Sequence, residues 1–117
     1  MTTPDFERLG SILTRLAHVI ETRRGDNPSS SYVASKLAKG AEHCAKKVGE
    51  EAVEVAMAAV QTATDGDRAA LVAESADLLF HLLVLWAATD VTPDAVAAEL
   101  ERREGVSGHA EKAARPG

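Results

Sequence analysis

Cysteine is almost missing from this chain: Cys44 stands alone, which rules out a disulfide framework within it. Aromatic residues make up only 3% against 45% hydrophobic, so the apolar material is chiefly Ala, Val and Leu. That palette suits close helix-on-helix packing better than a sheet. Basic residues are in short supply too, 13 Lys and Arg against 18 Asp and Glu, for a net charge of −5. A chain so balanced is a poor ligand for a polyphosphate backbone, and no nucleic-acid partner is expected. Long apolar runs are absent: the longest, residues 78–88, is interrupted by His81. It falls well short of the roughly 20 residues a bilayer requires and reads as a core helix. No charged-then-apolar leader opens the sequence, so a cytoplasmic protein with no membrane partner is expected. There is no internal repeat and no low-complexity stretch. With 117 residues the chain has the size of one domain.

What is present is helical periodicity. Phe6, Leu9, Ile12, Leu13, Leu16, Val19 and Ile20 recur at helical spacing, and Arg23-Arg24-Gly25-Asp26-Asn27-Pro28 supplies a stop and a turn. A shorter helical segment is predicted over 29–39, with the serines as caps and Gly40 as breaker. A third helix is predicted over 41–64, ended by Asp65-Gly66-Asp67. That turn also starts a fourth helix over 68–89. So short a connection makes the third and fourth helices antiparallel neighbours. Thr92-Pro93-Asp94 places a cap, a first-turn proline and a first-turn acid in the order of a helix start, predicting a fifth helix over 93–104. The expectation is an all-α antiparallel bundle of about five helices, with residues 1–105 as the domain and 106–117 as a C-terminal tail.

Two acidic pairs carry chemistry. Glu51 and Glu54 project from one face of the third helix, and Glu74 and Asp77 do the same on the fourth. If those helices are antiparallel, four carboxylates converge. Unit like charges 5–6 Å apart repel by about 3 kcal/mol at an effective dielectric of 20, and a hard cation removes that cost. Oxygen-only ligation selects magnesium, with manganese as a substitute, and magnesium leaves coordination positions for water and phosphate. Either pair alone is commonplace on a surface helix. The two together, flanked by Val48, Val55 and the apolar run after Asp77, point to a site. Lys47, one turn before Glu51, reads either as an i,i+4 salt bridge or as a phosphate contact.

Ser30-Ser31-Tyr32, Ala38-Lys39-Gly40, Lys46-Lys47-Val48-Gly49-Glu50-Glu51-Ala52-Val53-Glu54, Ala73-Glu74-Ser75-Ala76-Asp77-Leu78-Leu79-Phe80-His81 and Arg103-Glu104-Gly105-Val106-Ser107-Gly108 together resemble the phosphoribosyl-ATP pyrophosphohydrolase family, over nearly the whole chain. That family belongs to the all-α nucleoside triphosphate pyrophosphatases, whose pattern is Glu-Glu-x-x-Glu followed by Glu-x-x-Asp. The resemblance implies Glu51, Glu54, Glu74 and Asp77 as metal ligands and Glu50 as a helper that orients water or touches a second ion. It implies a homodimer of interlocked helices and cleavage of phosphoribosyl-ATP to phosphoribosyl-AMP and pyrophosphate with magnesium, the second step of histidine biosynthesis. Val33, where relatives often carry Thr, and Glu42-His43, where basic residues are frequent, depart from the pattern.

On this reading Lys47 holds the triphosphate, with Lys46, Lys36 and Arg24 as weaker candidates and Ser31 touching substrate or merely capping. His81, on the stripe of Glu74 and Asp77, either orients a ligand or is a neutral core histidine. Tyr32 either meets substrate or packs, and Cys44 and Trp86 pack. A house-cleaning nucleotide pyrophosphatase of the same fold would share the carboxylates. A di-iron bundle would need Glu-x-x-His pairs, which neither Glu51 nor Glu74 begins. A non-enzymatic interaction module would carry its acids only for solubility.

Overall fold

The computed structural model describes residues 4–104, and these form five α-helices with no strand among them. The expected tail and the segment from Gly105 to Gly108 lie outside the described residues. α1 is Glu7–Arg23, α2 Tyr32–Ala38, α3 Ala41–Asp65, α4 Ala69–Ala88 and α5 Pro93–Arg103. Each starts and stops where local chemistry dictates. The Ser31 hydroxyl accepts from the Ala34 amide at 3.1 Å to cap α2, and Thr92 does the same for Ala95 on α5, ahead of Pro93. Gly66 closes α3 in the left-handed conformation, φ 77°, its amide returning to the Thr62 carbonyl. The first amide of α4, on Ala69, is met by the Asp67 carboxylate at 2.9 Å. Gly40, also at positive φ, turns the chain between α2 and α3.

The hairpin of α3 and α4 is the most extensive helix pair. Thr62 donates to the Asp67 carbonyl near the turn, whereas Glu51 lies beside His81 farther out, so the helices run antiparallel, as the short connection predicts. α1 and α2 dock on α4. Ile20 and Val84, each 1% exposed, form the centre of the core with Cys44 and Leu83. Leu13, Leu16, Val33, Leu37, Phe80 and Trp86 pack around them. Burying each of the two central side chains contributes about 1.5–3 kcal/mol. Cys44, as expected, is a small buried side chain, its thiol 3.4 Å from the Lys36 carbonyl.

The run over 78–88 packs into the core, as expected of a core helix, through His81, Leu83 and Val84. The apolar stretch on α4 extends through the Ala-rich first half, and the whole 20-residue helix is long and apolar enough by length and composition to cross a membrane. It carries Glu74, Asp77 and His81, but within one chain only 17% of its apolar window is buried. Its exposed positions lie in the first half, whereas residues 78–88 are all buried or partly buried. Large apolar side chains also stand exposed on the hairpin, with Val53, Met57 and Val60 at i, i+4, i+7 on α3 and Val72 opposite on α4.

Candidate active site

Antiparallel pairing sets the register that brings α3's first acid against α4's acidic turn. Carboxylate oxygens of Glu51, Glu74 and Asp77 all lie within 4.8 Å of one another, Glu51 and Glu74 partly buried and Asp77 exposed. Glu54 is one turn farther along α3, exposed and outside this tight group, though its charge still reaches Glu74. Desolvation, then the charges of Asp77, Glu54 and Glu51, push the Glu74 carboxyl above its ordinary value. Those are the marks of crowded negative charge.

The donor set fits a hard divalent cation. Only oxygens are offered, and they lie within 4.8 Å of one another, a spacing comparable to the ~4.2 Å between opposite oxygens of a six-coordinate magnesium. The half-exposed position leaves room for phosphate and water.

Lys47 borders the group. Its ammonium lies 3.3 Å from Glu50 and 3.7 Å from Glu51, and its side chain is 24% exposed. The hydrogen bond to Glu50 is the largest cause of its raised pKa, with Glu50 and Glu51 charges adding to it. Glu50 is also approached by Lys46 at 3.9 Å, so its carboxylate serves the two lysines and points toward the site through Lys47. The i,i+4 salt bridge to Glu51, one of the two sequence readings of Lys47, is formed; the other reading is a phosphate contact.

His81 is buried, its Nε2 4.0 Å from Glu51. Burial holds the imidazole below its ordinary value, with Lys47 and Lys36 pressing the same way and Glu51 and Asp77 opposing. It is a neutral ring at neutral pH, so its contact with Glu51 is not an ion pair. Its edge faces Phe80 at 5.1 Å and Tyr32 at 6.3 Å. Tyr32 stacks on Phe80 at 5.8 Å while staying 56% exposed. Packing and accessibility are thus combined in one side chain, and this aromatic wall beside the carboxylates was not legible in the sequence.

The remaining sequence-derived residues divide. Lys36 lies over the Tyr32 ring, 4.9 Å from its centroid, on the same side of the molecule as Lys47 and His81. Ser31 is occupied as the α2 cap. Arg24 is held by Glu21 and by the Ala87 carbonyl at 2.7 Å, ten residues past Asp77 on α4 and so about 15 Å away along the helix.

The chain is similar to known proteins over most of its length. The family model described as phosphoribosyl-ATP pyrophosphohydrolase matches residues 13–104. The phosphoribosyl-ATP pyrophosphatase of Cereibacter sphaeroides is 58% identical over 105 residues, covering 90% of this chain and 98% of that protein. That of Ruegeria pomeroyi is 58% identical over 106 residues, 91% and 97% of the two chains. The protein of the same name from a Caulobacter species is 58% identical over 111 residues, 95% and 99%.

Proposed function

This chain belongs to the phosphoribosyl-ATP pyrophosphohydrolase family, and from that premise we propose that it hydrolyses phosphoribosyl-ATP to phosphoribosyl-AMP and pyrophosphate, the second step of histidine biosynthesis, at the carboxylate group shared by α3 and α4. It is a hydrolase of a phosphoric anhydride bond. The observation that carries the assignment of the site is the meeting of Glu51, Glu74 and Asp77 within 4.8 Å, flanked by Lys47 at 3.7 Å from Glu51.

Glu51, Glu74 and Asp77 would hold a magnesium ion, with manganese as a substitute, and Glu54, one turn on, would complete the set. When bound, the ion supplies neutralisation of phosphate charge and a lowered pKa for water. Lys47, fixed by Glu50, places a point charge against the triphosphate. Water attacks the α-phosphorus in line and the bond from that phosphorus to the bridging oxygen breaks. The electron pair leaves with pyrophosphate, and the proton of the attacking water passes to a neighbouring carboxylate, for which Glu50 and Glu54 are the candidates. Neutral His81, packed by Phe80 and Tyr32, limits the freedom of Glu51.

The exposed positions in the first half of α4 and the apolar stripe of Val53, Met57, Val60 and Val72 support the interlocked homodimer that the family resemblance implies, with a second copy covering what one chain leaves open. A cytoplasmic location goes with that biosynthetic role. Incubation with phosphoribosyl-ATP, with and without magnesium, tests the reading. Magnesium-dependent release of pyrophosphate and phosphoribosyl-AMP is expected. Hydrolysis of a panel of ordinary nucleoside triphosphates with none of phosphoribosyl-ATP would replace the reading with the house-cleaning one.

A further inference from the structure

We propose that Lys36 and Lys39, with Lys46 at the edge, form a second anion subsite that binds the phosphate of the substrate's phosphoribosyl arm, apart from the triphosphate held at Lys47 and the carboxylates. This rests on the substrate assigned above, which by its name carries phosphate in two places.

The chain is acidic overall, yet four lysines and one acid, Glu42, fall between Lys36 and Lys47. The Gly40 turn packs the end of α2, which carries Lys36 and Lys39, against the first turns of α3, where the Cys44 thiol lies 3.4 Å from the Lys36 carbonyl, and Lys46 and Lys47 follow on that helix. Their convergence registers on His43, whose imidazole is held below its ordinary value by desolvation and then by Lys39, Lys36, Lys46 and Lys47. The charges of four lysines thus act on one ring, and its shielded Nε2 has no hydrogen-bond partner among the described residues.

The lysines differ in what opposes them. Lys47 and Lys46 are paired with Glu50, and Lys47 also with Glu51. Among the described residues Lys36 and Lys39 have no carboxylate within salt-bridge distance, and Lys36 rests on the Tyr32 ring instead. The α2 C-terminus favours cations at Lys36 and Lys39, but Lys46 and Lys47 gain nothing of that kind from the N-terminal half of α3. The helix dipoles therefore do not account for the cluster. A phosphate dianion would neutralise it.

Placement fits a substrate with two anionic arms. His43, Lys47 and Glu51 are spaced four residues apart on one stripe of α3, so His43 lies about 12 Å along the helix from Glu51, with Lys47 between the two. A triphosphate at the carboxylates and Lys47 leaves Lys36 and Lys39 free for the other arm. An ordinary nucleoside triphosphate has nothing to place there, which makes the subsite a determinant of specificity.

Kinetics of the Lys36→Ala/Lys39→Ala double variant on phosphoribosyl-ATP test this. The expected loss in kcat/KM is roughly 10- to 100-fold, that of one or two charge-assisted hydrogen bonds, and it falls mainly on KM. The inhibition constant of ATP, which lacks the phosphoribosyl group, moves less than about twofold, and the Lys36→Arg/Lys39→Arg variant recovers most of the loss. In the unaltered protein, ribose 5-phosphate shifts the amide resonances of residues 36–43. Unchanged kcat/KM in the alanine variant, or ATP binding weakened as much as substrate binding, overturns the subsite while leaving the catalytic reading intact. Failure of the unaltered protein to cleave phosphoribosyl-ATP overturns both.

Discussion

Magnesium should raise the melting temperature of this protein through Glu51, Glu74 and Asp77, and replacing Asp77 by Asn should remove most of the rise. The three carboxylates offer oxygens within 4.8 Å of one another, so taking away one charge leaves a much poorer site. With magnesium at one hundred times its dissociation constant, binding to the folded state alone stabilises by about 2.7 kcal/mol. At about 4 °C per kcal/mol for a domain of this size, that is a rise of roughly 10 °C. If Asp77→Asn weakens the site about 100-fold, the upper end of what losing even an outer partner of a ligand costs, the same magnesium concentration gives about 0.4 kcal/mol, or roughly 2 °C. Without metal the variant should melt no lower than the unaltered protein, because the Asp77 charge is among the causes that raise the Glu74 carboxyl. Scanning calorimetry over a magnesium series measures both. Equal shifts in the two proteins would refute the assignment of Asp77, and no shift in either would refute the site.

Other outcomes follow from the same geometry. Glu54→Gln is expected to lose nearly all turnover while remaining folded, although Glu54 stands outside the tight group; pyrophosphate release at the unaltered rate would remove it from the ligand set. Because the Glu74 pKa is raised on folding, the metal-free protein loses stability as pH climbs above the ordinary carboxylate value of 4.5. Glu74→Gln should therefore be the more stable protein at neutral pH without metal, and the advantage should vanish below that value. Melts across the acid-to-neutral range, with chelator present, would show the variant losing ground as pH rises if that sign were wrong, and a constant difference if the Glu74 pKa did not shift on folding. Met57→Glu, in the middle of the exposed Val53, Met57 and Val60 stripe, should yield helical monomers by sedimentation velocity, and a dimer persisting at micromolar concentration would place the interface elsewhere.

Much of the fold was legible because its signals are local. The caps Ser31 and Thr92, the breaker Gly66 and the proline at the head of α5 act within a turn, and the observed helix ends fall within three residues of the predicted ones. Membership of the site was less so. Spacing puts Glu51 and Glu54 on a common face, but the rotation of α3 against α4 decides that Glu51 joins Glu74 and Asp77 while Glu54 stays at the rim. That rotation depends on how Val55, Ala58 and the α4 side chains pack, which periodicity does not specify. Arg24 looked available as a charge, yet its partner, the Ala87 carbonyl, is 63 residues away in sequence. Lys39, quoted only as part of the Ala38-Lys39-Gly40 string, was not read as a binding residue for the same reason, since only the packing of α2 on α3 sets its surroundings. The apolar content of α4 was plain, but how little of it one chain covers emerges only from packing.

Everything proposed for catalysis depends on a hard cation seated between α3 and α4. Crystals soaked in manganese and measured at an energy where manganese scatters anomalously test this directly. The account predicts an anomalous peak bounded by the carboxylates of Glu51, Glu74 and Asp77, whereas ordered manganese elsewhere, with those three side chains turned to bulk solvent, would contradict it.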